Sequence, residues 1–577
     1  MTLRPRALVL AALFCVCGRG DARGEVSFRL SDPALQALTR HLAPTLEANR
    51  KQLRGRTGPV RGFGAGALYP QVWLRDSATL IPLARYLYAR EHLDSWLVEH
   101  LAHQREDGAL RDWIAAGEPS AFRADAPAVE EVYRDGALVI SADRNTTEAD
   151  QETSAVEAAH QAFRISGDRA WLRRPVAGRP LVDRLDAALS FLRRKRFSRR
   201  YGLVTNAFTA DWGDVSPMYG DQRAIYLDER TPLVVGLYTN ALFYRAAGDL
   251  QELLEAAGRP ARARFWRDEA RRVRASVNRH LWQEARGFYR VHLLETVPSG
   301  WAPPDDADTF ALGGNAVAVL HGIADAAQSA RIFAVAEERQ RRYRVSTVAG
   351  TLLPPYPSGF FRHPILREPY TYQNGGQWDW FGGRLVLAEF ERGHSVAARR
   401  QLGEIAARVA RSGGLREWAT REGAGRGSAA YAGSAGALGA ALIGGLFGVD
   451  LAGGRLTLTV RLGEEAGELQ VREPATDTDV ACSSAYDAAS RTLRVSYSSG
   501  ARRAGMLRVR MPPGMRPVSA ILDGQARTLR METLGEDVYA ALTTAPGAHE
   551  LKLKLAPSSS KGALAARPLE PPLAARE

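Results

Sequence analysis

Apolar residues recur at three- and four-residue spacing across residues 32–449, the period of a helix with one buried face. The stretches 34–46, 77–90, 93–103, 148–165, 181–194, 232–247, 259–281, 312–323, 327–339, 375–390, 396–410 and 428–447 predict about twelve helices. No fixed-period repeat links them, which disfavours stacked-repeat arrays. Paired helices in this number predict hairpins closed into a ring or solenoid. Past Val449 the period falls to two. Residues 455–462 read RLTLTVRL, and 493–497, 506–511, 520–522, 538–542 and 549–555 alternate likewise. That pattern predicts strands with one buried face. The expected division is a signal peptide over 1–22, a helical domain over 23–449, a small antiparallel β-sandwich-like module over 450–556 and a tail over 557–577. The tail is too rich in Pro and Ser to build a core.

Long segments without either period lie at 106–147, 204–231, 345–374 and 413–427. Loops longer than ~12–15 residues in a compact domain serve a function or are disordered. These carry Trp113, Tyr133, Trp212, Tyr219, Tyr356, Phe360, Phe361, Tyr370, Tyr372 and Trp418, and disordered chain is poor in aromatics. They are expected to be ordered and to line a site.

Charge changes the picture little. The 77 Lys and Arg exceed the 64 Asp and Glu, for a net +13, but they are spread along the chain in short runs such as 193–196 and 339–344. A nucleic-acid binder gathers its charge on one stripe interleaved with aromatics, so no nucleic-acid partner is expected. Arg4 and Arg6 precede an apolar run over 7–16, the layout of a secretory signal peptide. It is too short for a membrane span. A secreted or periplasmic protein is therefore expected. Cys15 and Cys17 follow Phe14 and Val16, not the small residue a lipidated cysteine requires. Once the signal peptide is removed only Cys482 remains, so no internal disulfide can form.

Five segments carry candidate chemistry. In YPQVWLRDS (69–77), Asp76 either caps a helix or accepts from sugar hydroxyls while Arg75 donates in a fork. Asp150-Gln151-Glu152 opens a helix, where carboxylates suit the dipole or face a sugar. In TADWGDV (209–215), Asp211 and Asp214 flank Trp212. One can cap a turn; the other can serve as a general acid whose pKa an apolar wall raises. In YTYQNGGQWDW (370–380), Asn374 caps a helix or points at ligand, Gly375 and Gly376 admit a close approach, and Trp378 offers a platform. Asp379 is a third candidate acid. In GGLREWA (413–419), Glu417 beside Trp418 is either an exposed loop carboxylate or a base for water, with Glu422 a further candidate. No Gly-x-Ser-x-Gly elbow, HExxH or CxxC metal spacing, P-loop or dinucleotide fingerprint is present.

The Arg-Asp segment resembles the Trp-x-Arg-Asp segment of glucoamylases and glycogen-debranching glucosidases. The middle loop is similar to the Trp-x-Asp acid segment of the debranching enzymes and, more loosely, to the trehalase Trp-Asp segment. The Asn374-Gly375-Gly376-Gln377-Trp378 run resembles one shared across six-hairpin glycosidases, and Glu417 lies where those enzymes place a late Glu. The resemblance implies a mainly α fold, an (α/α)6 toroid, and an exo-acting inverting glycosidase of α-glucosidase type. It implies Asp214 as general acid, with Asp211 as the alternative, and Glu417 as general base. Trp73, Arg75, Asp76, Glu152, Asp211, Trp212, Asn374, Trp378 and Trp418 would contact the carbohydrate, with no metal or organic cofactor. A polysaccharide lyase or sugar epimerase on the same toroid, and a non-catalytic glycan-binding protein, stay open. The sugar, its linkage and the oligomeric state are not specified.

Overall fold

The computed structural model describes residues 24–117, 131–135, 138–558 and 567–568. The expected signal peptide lies outside the described residues, as does the tail beyond Ser558 apart from the short strand Arg567–Pro568. Thirteen α-helices form among them: α1 (Pro33–Ala48), α2 (Leu74–Ala84), α3 (Glu91–Ala102), α4 (Gln151–Ser166), α5 (Arg169–Arg173), α6 (Leu181–Lys195), α7 (Leu237–Ala256), α8 (Pro260–His280), α9 (Leu312–Leu320), α10 (Ala326–Arg342), α11 (Asp379–Glu391), α12 (Ser395–Arg411) and α13 (Ala432–Ala440). Each stretch with helical spacing contains one. Four of them, α4, α7, α11 and α13, start three to five residues later than the spacing predicts. Residues 233–236 form a strand before α7, and Gly375 at φ 92 keeps the chain out of helical geometry until Asp379.

Six helices touch in a closed cycle: α2, α4, α7, α9, α11, α13 and back to α2. The others lie outside it. For example, α8 packs along α7, α12 along α11, and α1 against α12 and α13. Composition explains the layers. In α9 (LGGNAVAVL) and α13 (AGSAGALGA) nearly every residue is buried, as a helix surrounded by others requires. By contrast α8 is rich in Arg and buries only one stripe, including Ala263, Trp266, Ala270, Val273 and Val277. Among the described residues no helix is long and apolar enough to cross a membrane.

The expectation of a mainly α chain is corrected: the fold is mixed, 38% helical and 28% strand. Short hairpins in the loops between helices add strand that period-two counting misses. After Val449 two sheets form, one of seven strands and one of six. Each buries alternate residues, such as Leu493, Val495 and Tyr497 in the first and Leu456, Leu458 and Val460 in the second. The six-stranded sheet is not wholly antiparallel, because Arg455–Val460 runs parallel to Arg503–Arg510. Three strands of the other sheet intervene in sequence, supplying the crossover that a parallel pair needs. The opening strand, Glu25–Leu30, pairs antiparallel with residues 467–472 rather than joining the helices. Arg85 locks the two regions together through Glu473 at 2.6 Å and the Leu451 carbonyl at 2.6 Å.

One core carboxyl carries a pH signature. Glu389 of α11 is fully buried, with Gln401 Nε2 at 2.8 Å on one oxygen and no partner on the other. Burial pushes its pKa well above the ordinary carboxylate range. The folded state then binds this proton more tightly than the unfolded chain, so stability declines as pH rises above ~4.3. Glu389→Gln is expected to raise the melting temperature at neutral pH and to flatten its pH dependence. Thermal unfolding between pH 4 and 8 tests this, and an unchanged slope rejects it.

Candidate active site

The N-terminal ends of α2, α4 and α13 are linked by their own contacts. Arg75 and Asp76 stand in the first turn of α2. Arg75 Nη1 lies 3.2 Å from Glu148 Oε1 and 3.2 Å from Asp150 Oδ2, just before α4, and donates to the Trp212 carbonyl at 3.2 Å. Its guanidinium sits 5.7 Å from the ring centres of both Trp212 and Trp380. Tyr431, at the start of α13, donates to Asp76 Oδ1 at 3.3 Å. Helix N-termini carry partial positive charge, which offsets part of the cost of burying these carboxylates. Burial nevertheless lifts the pKa of Asp76, against the pull of Arg75. It lifts Glu148 further, against the same pull and with Asp112, Asp150 and Asp214 adding negative field.

Glu417 faces this cluster from a hairpin, Arg416–Ala419 paired with Gly425–Ala429. Tyr69 Oη donates to its Oε1 at 2.7 Å and the Ser428 N–H to its Oε2 at 2.8 Å. The hairpin closes this tightly because residue 427 is glycine. Its φ of 67 lies in the left-handed region that favours glycine, and a Cβ there would lie 2.4 Å from Glu417 Oε2. Burial raises the Glu417 pKa, hydrogen bonds from Ser428 and Tyr69 lower it, and the charge on Asp214 raises it again. Asp214 is itself half-buried, with its carbonyl held by Asn145 Nδ2 at 2.9 Å and Thr147 Oγ1 at 3.0 Å, and its Oδ1 without a partner.

The other sequence candidates divide. Trp73 and Trp418 are half-buried. Trp212 and Trp378 are buried and packed 4.7 Å apart, so neither is an exposed platform. Asp211 turns away, accepting from the Gly314 N–H at 2.9 Å, and burial raises its pKa to about 7. Glu152 also faces elsewhere, held by Arg144 Nη1 at 2.6 Å and the Leu110 N–H at 2.9 Å. Asn374 does not cap α11, whose N-cap is Trp378. It braces the loop instead, accepting from the Tyr356 N–H at 2.8 Å and donating to the Tyr356 and Leu366 carbonyls. Asp379 is paired with Arg408 of α12, and Glu422 is exposed beside Arg421. Sequence reasoning passed over Tyr69, Glu148 and Tyr431, and named Tyr372 only among the aromatics expected to line a site. Tyr69, Glu148 and Tyr372 lie within or next to the quoted motifs, where only a hydrogen-bond map distinguishes them. Among the described residues no group of three or more His, Cys, Asp or Glu is arranged to hold a metal ion.

The model of the mannosylglycerate hydrolase MGH1-like glycoside hydrolase domain matches residues 69–432, from Tyr69 to the start of α13. The chain belongs to this family. It is therefore a glycoside hydrolase. This MGH1-like hydrolase is similar in fold to the α-L-rhamnosidase from Dictyoglumus thermophilum, at 11% identity and TM-score 0.59 over 92% of this chain and 50% of that one. The GH78 rhamnosidase of Bacillus sp. GL1 matches at 16% and 0.58, over 86% of this chain and 43% of the other. The GH63 mannosylglycerate hydrolase from Thermus thermophilus, solved with Tris and D-glycerate, matches at 18% and 0.50, over 70% and 99%. The MGH1-like chain thus spans half or less of the rhamnosidases' length. Among curated proteins none matches it.

The bracing role of Asn374 is testable. Asn374→Ala leaves the Tyr356 N–H and two carbonyls unpaired in a buried loop, at about 1–3 kcal/mol for each group left so. A fall of several degrees in melting temperature is expected, and an unchanged value would contradict the brace.

Proposed function

We propose that this hydrolase is an exo-acting, inverting glycosidase that releases a terminal α-linked hexose, with Asp214 as general acid and Glu417 as general base. The observation that carries the reading is the placement of Glu417. Its two oxygens are oriented by Tyr69 and Ser428, and Asp214 lies close enough for its charge to raise the Glu417 pKa. In this mechanism Asp214 gives its proton to the glycosidic oxygen. A water on the opposite face of the sugar loses a proton to Glu417 as it attacks. Inverting enzymes hold two such carboxyls ~6.5–9.5 Å apart to admit that water. Arg75 and Asp76 would bind hydroxyls of the terminal sugar, and Trp73 and Trp418 would flank it. The glucoamylase-like motif at 73–76 supports recognition of a chain end. The closed cycle of six helices with others outside supports an (α/α)6 toroid. The N-terminal segment with Arg4 and Arg6 supports export from the cytoplasm.

Turnover of α-glucosides, α-mannosides including mannosylglycerate, and α-L-rhamnosides tests the reading, with the first-formed anomer followed by NMR. Asp214→Asn and Glu417→Gln should each lower kcat by about 10²–10⁴-fold, and the product should have inverted configuration. Retention, or full activity in either variant, would reject it.

A base must be ionised to act, so kcat/KM should fall as pH drops through the raised Glu417 pKa. The acid limb is therefore expected above the ordinary glutamate value of ~4.3. The Tyr69 hydrogen bond lowers that pKa, so Tyr69→Phe should move the limb to higher pH. A limb that stays in place or moves down would contradict the assignment.

A further inference from the structure

The turn over residues 209–215 holds two carboxylates, and the mechanism above uses one. The other is kept at a conformational disadvantage. Asp211 has φ 58, a region that residues with a Cβ seldom occupy, and its carboxylate is buried. Both features are matched by a single surface, the first turn of α9. The Gly314 N–H donates to Asp211 Oδ2 at 2.9 Å. A Cβ on Gly313 would lie 2.6 Å from that oxygen and 2.5 Å from Trp212 Cδ1, and a Cβ on Gly314 would lie 3.0 Å from Asp211 Oδ1. The glycine pair leaves a slot that fits this carboxylate and the neighbouring indole. From the slot the chain turns at once, with the Gly213 N–H on the Ala210 carbonyl at 3.0 Å. It then reaches Asp214, whose carbonyl Asn145 and Thr147 hold from the other side.

We infer that Asp211 is a positioning residue acting through Asp214: it pins the acid-bearing turn onto the N-terminus of α9, so that the acid meets the leaving oxygen. The inference rests on Asp214 being the general acid. A pKa near 7 would suit Asp211 for that role itself, but the value follows from its burial. Its carboxylate addresses α9, whereas it is the charge of Asp214 that acts on Glu417, Tyr69, Tyr372 and His363.

A fluoride leaving group departs without protonation, so glycosyl fluorides separate the two assignments. Turnover of α-D-glucosyl and α-D-mannosyl fluoride is compared with that of the matching O-glycosides, with melting temperatures measured alongside. Asp214→Asn should lose the O-glycoside and keep the fluoride. Asp211→Ala, and Gly313→Ala from the opposite side of the slot, should lower kcat on the O-glycoside by about 10²-fold, the cost of a misplaced catalytic group. Both should leave its KM and the fluoride rate near wild type. Asp211→Asn, which keeps an acceptor for the Gly314 N–H, should recover most of the loss. Equal losses on both substrates would make Asp211 a purely structural residue and overturn the inference, as would full O-glycoside turnover in Asp211→Ala and Gly313→Ala. Loss of the O-glycoside in Asp211→Asn while Asp214→Asn stays active would instead overturn the assignment of Asp214. A wild type that hydrolyses neither fluoride would count against the proposed function itself.

Discussion

A guanidinium buried with two carboxylates on one of its nitrogens sets the terms for the rest of the pocket. Arg75 is enclosed by Glu148, Asp150 and the indoles of Trp212 and Trp380. Removing such a charge from water costs several kcal/mol unless opposite charge and hydrogen bonds meet it. The acids that meet it are themselves costly to bury, and they gather where helix ends offer positive potential. The starts of α2, α4 and α13 provide that location, joined through Arg75, Asp76 and Tyr431.

The same arrangement separates residues that hold the pocket from residues that face it. Asn374, Glu152 and Asp379 are polar, buried and close to the site in sequence, yet each is consumed by a partner in the scaffold. Glu417 is held as firmly by Tyr69 and Ser428, but by groups that leave it in electrostatic contact with Asp214. A carboxylate in a glycosidase motif is thus informative only when its neighbours are known.

That distinction marks how far the sequence could be read. Helix spacing was legible throughout, because a buried stripe leaves a period that loops lack. The strand Glu25–Leu30 was missed since six residues of alternation beside a helix carry little signal and its partner is more than 400 residues away. The short loop hairpins were missed for the same reason. Asp211 and Asp214 both flank Trp212, and only the resemblance ranked them; the glycines against which Asp211 packs belong to α9, about a hundred residues on. Tyr69 lay in plain view at the head of a motif, but its role depends on a hairpin far along the chain.

The pairing of residues 25–30 with 467–472 also bears on how the protein is made. The strand at residues 25–30 has no partner until every helix has been synthesised and residues 467–472 follow. During that interval its unpaired edge is exposed to whatever surrounds it, and the seven-stranded sheet gains its end strand only when the late segment arrives. The two segments then close on one another like a clasp, with every helix between them in sequence, so that loosening either would work loose the other.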